Sequence, residues 1–342
     1  MSLPLAVAAA LLVGVVAYAI FGGADFGAGF YDLTAGGTER GADLRTLIDH
    51  SIGPVWEANH VWLIYVLVTW WTAFPTSFAG TMSTLILPLL FALLGIVLRG
   101  ASFAFRKYSA TLSQARLFGA VFAGSSLIAP FFLGTVAGAI ASGRVPAQGR
   151  GDLWSSWLNP TSLLVGVLAI GSCAFLAGTF LTADAARAGL TELLERLRRR
   201  TLAVGAVTGV IAFGALVPIA HDAPTLTDGL TGRAAPLVAL SMIGGVLTLL
   251  LLWRRRPGWA RFSAVVAVTA VLLGWGVGQY PWLLVDEVTI GDAAGAPATL
   301  RALLVVAALA GVIVLPALAY LFKLTQSESW TPGEHQVGTS RP

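Results

Sequence analysis

The stretch GPVWEANHVWLIYVLVTWWTAFP, Gly53 to Pro75, is long and apolar enough for a membrane span, yet its first turns carry Glu57, Asn59 and His60. The rest of the chain has the same apolar character. Of 342 residues, 56% are hydrophobic and 11% charged, and the mean hydropathy is +0.80. A soluble domain carries about 25% charged residues, so the sequence reads as an integral membrane protein. Its net charge of +4 is modest, and it lacks the basic face that nucleic acid needs. The single cysteine, Cys173, excludes an intrachain disulfide and any multi-cysteine metal or iron–sulfur site.

Crossing a hydrocarbon layer ~30 Å thick takes about 20 mostly apolar residues. Nine runs qualify: 4–34, 53–74, 77–99, 116–141, 160–183, 202–220, 235–253, 261–284 and 299–322. In lipid every backbone polar group must be satisfied within the protein, and these runs are far too long for barrel strands. The fold class is therefore all-α, a polytopic protein of nine transmembrane helices. The first run has no basic residue ahead of it, the first being Arg40, so it reads as a retained helix and not as a signal peptide. The turn centred on Pro75 predicts a tight hairpin of the second and third helices. The whole of 1–324 reads as one transmembrane domain, and the polar tail 325–342 reads as disordered and cytoplasmic.

Spans one to four and five to eight can be read as two copies of a four-helix unit, 1–142 and 158–284, with 299–322 as an extra peripheral helix. GAGFYDLTA (27–35) resembles LAGTFLTADA (176–185), and Pro130 and Pro281 fall in the two fourth helices. Gly23 with Gly27, and Gly274 with Gly278, have the small-residue spacing that suits close helix packing.

Nine spans put the termini on opposite sides. The side of the N-terminus holds Arg144, Arg150, Arg233 and Arg301, and the other side holds the remaining 17 of 21 Lys and Arg, Arg99, Arg106 and Lys107 among them. Excess Lys and Arg marks the cytoplasmic side, so the N-terminus is predicted outside and the C-terminus inside.

An ionisable residue deep in a span costs about 2.5–3.5 kcal/mol on insertion scales. Few are present: Asp25, Glu57, His60 and, near a helix end, Asp32. Asp25 lies about six residues, roughly 9 Å, from the centre of the first span toward the cytoplasm, and Glu57 lies at a similar depth in the second. His60 is one turn nearer the middle, while Asp32 shares a face with Asp25 near the inner surface. Asp49 and His50 stand at the inner start of the second span. The sequence thus predicts a ladder running from Asp32 or Asp49 to Asp25 and Glu57, then to His60. Groups that exchange single protons across hydrogen-bond distances suit a relay. Equally, Asp25 and Glu57 can bond to neighbouring helices or a partner chain and lock the packing. Asn59, about 200° round the helix from Glu57, suits a helix–helix hydrogen bond.

Haem requires axial His, Met, Cys or Tyr ligands. Of the histidines 50, 60, 221 and 335, only His60 is deep in a span, and its acidic neighbour suits proton chemistry better than iron. No Walker motif, nucleophile elbow or H-E-x-x-H occurs, and the glycines of GGADFGAG lie inside a span, which excludes a dinucleotide loop. The residues predict no cofactor or metal on this chain. A stand-alone proton- or cation-coupled transporter also fits the buried carboxylates, as does a purely structural subunit.

Three motifs carry a family likeness. FGGADFGAGFYDL (21–33), GPVWEANHVWLI (53–64) and GQYPWLL (278–284) resemble subunit II of the cytochrome bd-type quinol oxidases. The resemblance implies a multi-pass protein of the bacterial cytoplasmic membrane, in a complex that oxidises quinol and reduces dioxygen to water. It implies that haems b and d and the quinol site belong to a larger partner, subunit I, and that this chain binds no haem. It further implies that Asp25 and Glu57 serve a proton path from the cytoplasm, with Asp32 and His60 as further candidates from their placement. The Ala-, Gly-, Arg- and Val-rich composition points to menaquinol as donor, and small accessory subunits are a further partner class.

Overall fold

The computed structural model describes residues 2–37, 39–52, 56–108 and 111–327. It is all-helical apart from one short hairpin. The helices are α1 (Leu3–Leu33), α2 (Ala42–Ile52), α3 (Trp56–Ala73), α4 (Pro75–Thr84), α5 (Ile86–Lys107), α6 (Leu112–Ala141) and α7 (Pro160–Arg187). They continue as α8 (Thr191–Asp222), α9 (Pro224–Thr231), α10 (Ala235–Trp253) and α11 (Pro257–Gln279). Strands β1 (Trp282–Leu284) and β2 (Val288–Thr289) pair antiparallel, and α12 (Pro297–Ser327) completes the described chain. Eight helices are long and apolar enough to cross a membrane, and nine spans result if α3 and α4 count as one.

Local chemistry sets many of the helix starts. Seven helices carry proline in their first two positions, where its fixed φ suits the first turn and its missing N–H costs nothing. Asn159 caps α7 by accepting the Ser162 backbone N–H at 2.9 Å.

Helix α1 is the hub, packed against α2, α3, α6, α7, α11 and α12. Consecutive long helices pair around it, α5 with α6, α7 with α8 and α10 with α11. Glycine makes a close approach possible: a Cβ on Gly27 would lie 1.9 Å from the carbonyl oxygen of Cys173, so only Gly allows α1 and α7 to touch there. Farther along, the Tyr31 hydroxyl bonds Thr201 of α8 at 3.1 Å and fills the space beside Gly178. Contacts advance together along both helices, so α1 and α7 run in the same direction.

Three of the four buried apolar clusters stack along α1. One joins Val7, Leu11, Phe74, Trp157 and Leu284 around the hairpin end. A middle one joins Ile20, Leu176 and Ala264. At the opposite end, Leu44, Leu47 and Ile48 of α2 pack on Tyr31, Leu181 and Leu197. Those three positions, spaced i, i+3 and i+4, make α2 an amphipathic helix lying across the end of the bundle.

Several sequence expectations change. The turn at Pro75 is not a tight hairpin. Pro75 instead opens α4, bent 117° from α3, and the return helix α5 packs on α6 while α3 packs on α1. The third span is therefore α5, 86–107, and not 77–99. The polar run PTSFAGTMST, with Ser77, Thr81 and Thr84 buried, forms the intervening turn. The eighth span stops at Gln279, so Pro281 sits in the hairpin and not in a helix equivalent to the one holding Pro130. Helix α12 continues through Ser327, past the predicted start of the tail at 325. The rest of that tail, 328–342, and the first three residues of the predicted second span, 53–55, lie outside the described residues.

Candidate functional site

Asp25 is 4% exposed and sits on α1 between α3 and α5. Its partner is Asn59, whose Nδ2 donates to Asp25 Oδ2 at 2.7 Å. Two residues along α3 is about 200° of rotation, so with Asn59 turned to α1, Glu57 must face away. Glu57 is exposed on the surface of the chain. The ladder read from the sequence put Asp25 and Glu57 at a similar depth on two helices; in the fold Asn59 takes the interior position beside Asp25 and Glu57 the exterior one. Glu57 heads a stripe of Val61, Ile64, Val68 and Trp71, spaced four, three, four and three residues apart and 49–64% exposed. That spacing is one continuous helix face.

His60 lies between these two faces. Its ring stands 6.0 Å from Tyr18, 6.0 Å from Phe26 and 6.3 Å from Trp56, centroid to centroid. Its buried Nδ1 has no hydrogen-bond partner among the described residues.

Asp32 is also 4% exposed, one helix face down from Asp25. It accepts from Arg45 Nε at 2.8 Å and from Arg106 Nη1 at 2.7 Å, and Arg106 Nη2 reaches Asp49 at 2.6 Å. The group ties α1, α2 and α5 into a charged collar at the α2 end of the bundle. Thus Asp32 and Asp49 are brought together through Arg106, while His50 is exposed on α2.

Sequence reasoning missed Arg99. Read as a flanking charge of a span 77–99, it is instead an interior residue of α5, eight positions or roughly 12 Å before the helix end. It is 1% exposed. Its guanidinium lies 5.1 Å from the Phe26 ring centroid and 5.3 Å from that of Phe122. Those ring faces stabilise the cation, but its N–H groups point along its own plane. Nε and Nη2 find no partner among the described residues, and neither does the buried Tyr18 hydroxyl. Each such orphan costs about 1–3 kcal/mol. The signal that would have found Arg99 is the Ser- and Thr-rich run after Pro75, which delays the start of the third span.

No group of three or more His, Cys, Asp or Glu side chains placed to hold a metal ion occurs among the described residues. The site combines an interior carboxylate bonded to Asn59, an ion-paired collar at Asp32, an imidazole and a buried guanidinium.

A family model, cytochrome bd terminal oxidase subunit II, matches residues 3–325. The chain belongs to that family. It is a multi-pass membrane subunit of a quinol oxidase, an oxidoreductase complex of electron transport. Among its relatives, cytochrome bd ubiquinol oxidase subunit 2 of Bacillus subtilis is 29% identical over 77% of both chains. Cytochrome bd-I ubiquinol oxidase subunit 2 of Escherichia coli K12 is 24% identical over 91% of this chain and 92% of that one. The fold matches a chain of the bd oxidase of Geobacillus thermodenitrificans with a TM-score of 0.80 and 26% identity, over 95% of this chain and 98% of that one. In this chain Asp25 lies inside the bundle and Glu57 on its outer surface.

Proposed function

We propose that this chain is the haem-free subunit of a bd-type quinol:oxygen oxidoreductase, holding the haem-bearing subunit I and conducting protons to it from the cytoplasm. The observation that carries the reading is the pair of faces on α3. Asn59 meets the interior carboxylate Asp25, while Glu57, two residues away, stands outside the bundle at the head of an apolar stripe. A carboxylate left against lipid at that depth costs about 2.5–3.5 kcal/mol. A partner seated along Glu57, Val61, Ile64, Val68 and Trp71 relieves that cost and receives the proton. Subunit I is that partner.

In this reading protons pass the Asp32–Arg106–Asp49 collar and reach Asp25. They go on through His60 to Glu57, each group accepting on the cytoplasmic side and releasing toward the partner. The N-terminus lies outside and the C-terminus inside, in the bacterial cytoplasmic membrane, and menaquinol is the donor to the complex. The haems of subunit I supply electron transfer and oxygen chemistry when bound there. His60 does not fit as a haem ligand on this chain, because the Tyr18, Phe26 and Trp56 rings occupy the space a macrocycle would need.

The test is Asp25→Asn and Glu57→Gln in the intact two-subunit complex. The expected result is slower oxygen reduction with an unchanged haem spectrum and unchanged partner content. Full turnover in both variants refutes the path. Loss of haem with normal activity per haem would instead assign these acids to packing.

A further inference from the structure

Phe26 stands at the centre of a cage built by residues of α1, α3 and α5. Tyr18 of α1 lies 6.3 Å from it and His60 of α3 lies 6.0 Å from it, while Tyr18 and His60 are themselves 6.0 Å apart. Arg99 of α5 covers the Phe26 ring at 5.1 Å. Gly22 fixes the direction of Tyr18, since a Cβ there would meet the Tyr18 ring at 2.9 Å. The tyrosine is folded along α1 toward the level of Asp25.

Four buried polar atoms of this cage have no partner among the described residues: Arg99 Nε and Nη2, Tyr18 Oη and His60 Nδ1. Their hydrogen-bonding characters are mixed. The guanidinium can only donate, the hydroxyl does both, and the imidazole nitrogen donates or accepts according to its tautomer. Asp25 has an acceptor oxygen left after Asn59 takes the other. Arg99 is within electrostatic reach of Asp25, Tyr18 and His60, yet it forms no ion pair among the described residues. A ligand that satisfies this set must accept from a guanidinium and donate to a carboxylate in one small space. A simple anion accepts but cannot donate, and Asp25 already supplies the negative charge. An acyl chain does neither. Water does both, and buried water takes two to four such partners.

We infer that Arg99, Tyr18 and His60 hold a cluster of ordered water that bridges Arg99 to Asp25, making Arg99 the positioning residue for that carboxylate. The water also joins Asp25 to His60, a link that no direct side-chain contact provides. The site's part in proton movement rests on the function proposed above, while the binding of water does not.

The experiment is cryo-electron microscopy of the intact complex at a resolution that shows ordered water, paired with radiolytic labelling in H2-18O. Density within hydrogen-bond distance of Arg99 and Tyr18, and label on Tyr18 above that on Phe213, which is exposed on α8, is the expected result. A dry cage, or Arg99 bonded directly to Asp25, overturns the inference, while turnover in Asp25→Asn and Glu57→Gln tests the use of those acids separately. Arg99→Met should lose the Tyr18 label and oxygen reduction at full haem content, with Arg99→Lys restoring both. If Arg99→Met does not assemble, Tyr18→Phe removes one water ligand, and unchanged density beside Arg99 in that variant overturns the role given to Tyr18. Water present with full turnover in Asp25→Asn would refute the path and keep the site.

Discussion

Asn59 donates to Asp25 at 2.7 Å, and this bond joins α3 to α1 at a buried carboxylate. The bond selects which face of α3 points inward and so sends Glu57 out. Replacing Asn59 with Leu removes the one side-chain donor that Asp25 has among the described residues. Hydrogen bonds to charged groups contribute about 1.5–3 kcal/mol. The expected outcome is a lower unfolding temperature of the purified complex and slower oxygen reduction. Unchanged values for both would show that Asp25 is held by something other than Asn59.

Gly27 sets the distance between α1 and α7. A methyl group there would lie 1.9 Å from the Cys173 carbonyl oxygen, well inside any contact that a flexible side chain could relieve. Gly27→Ala should cost at least about 1–3 kcal/mol through overpacking, and the yield of assembled complex reports it. Gly209 has open space around its Cβ position, so Gly209→Ala should assemble at the wild-type level. Equal yields from the two variants would refute the close-approach argument.

The outer stripe of α3 separates a partner face from a lipid face. Ile64 is 61% exposed on the stripe, and Val210 of α8 is 73% exposed on another side of the bundle. Trp in place of Ile64 should block seating of the partner, whereas Trp in place of Val210 should be absorbed by lipid. Co-purification of the haem-bearing chain measures the difference. Retention in the first variant with loss in the second would move the interface to α8.

The collar at Asp32 has unequal arms. Arg106 is 14% exposed and bonds both Asp32 and Asp49, whereas Arg45 is 30% exposed and bonds Asp32. Both arms meet the buried Asp32, but Arg106 is the more buried cation and its loss also frees Asp49; breaking a buried ion pair from one side costs about 3–5 kcal/mol. Arg106→Leu should therefore destabilise the complex far more than Arg45→Leu in a thermal assay. The reverse order would place the collar's weight on α2.

Much was legible in the sequence because a bilayer imposes a single strong rule, that long apolar runs become helices. The all-α class, the position of α1, the placement of α6, α7 and α10, and the family motifs followed from that rule and from quoted residues alone. Breaks within apolar runs were not legible. Hydropathy is nearly indifferent to whether Ser, Thr and Gly turn the chain or span the membrane, so it joins α4 to a span and puts Arg99 at that span's end.

The sequence by itself determined which acids would be costly to bury, Asp25, Asp32 and Glu57, and where along its helix each stands. Only the tertiary structure decided which neighbour each would have. Depth depends on one helix and its rise per residue. Partnership depends on the rotation of that helix against its neighbours, fixed by contacts as distant in sequence as Gly27 with Cys173 and Asn59 with Asp25.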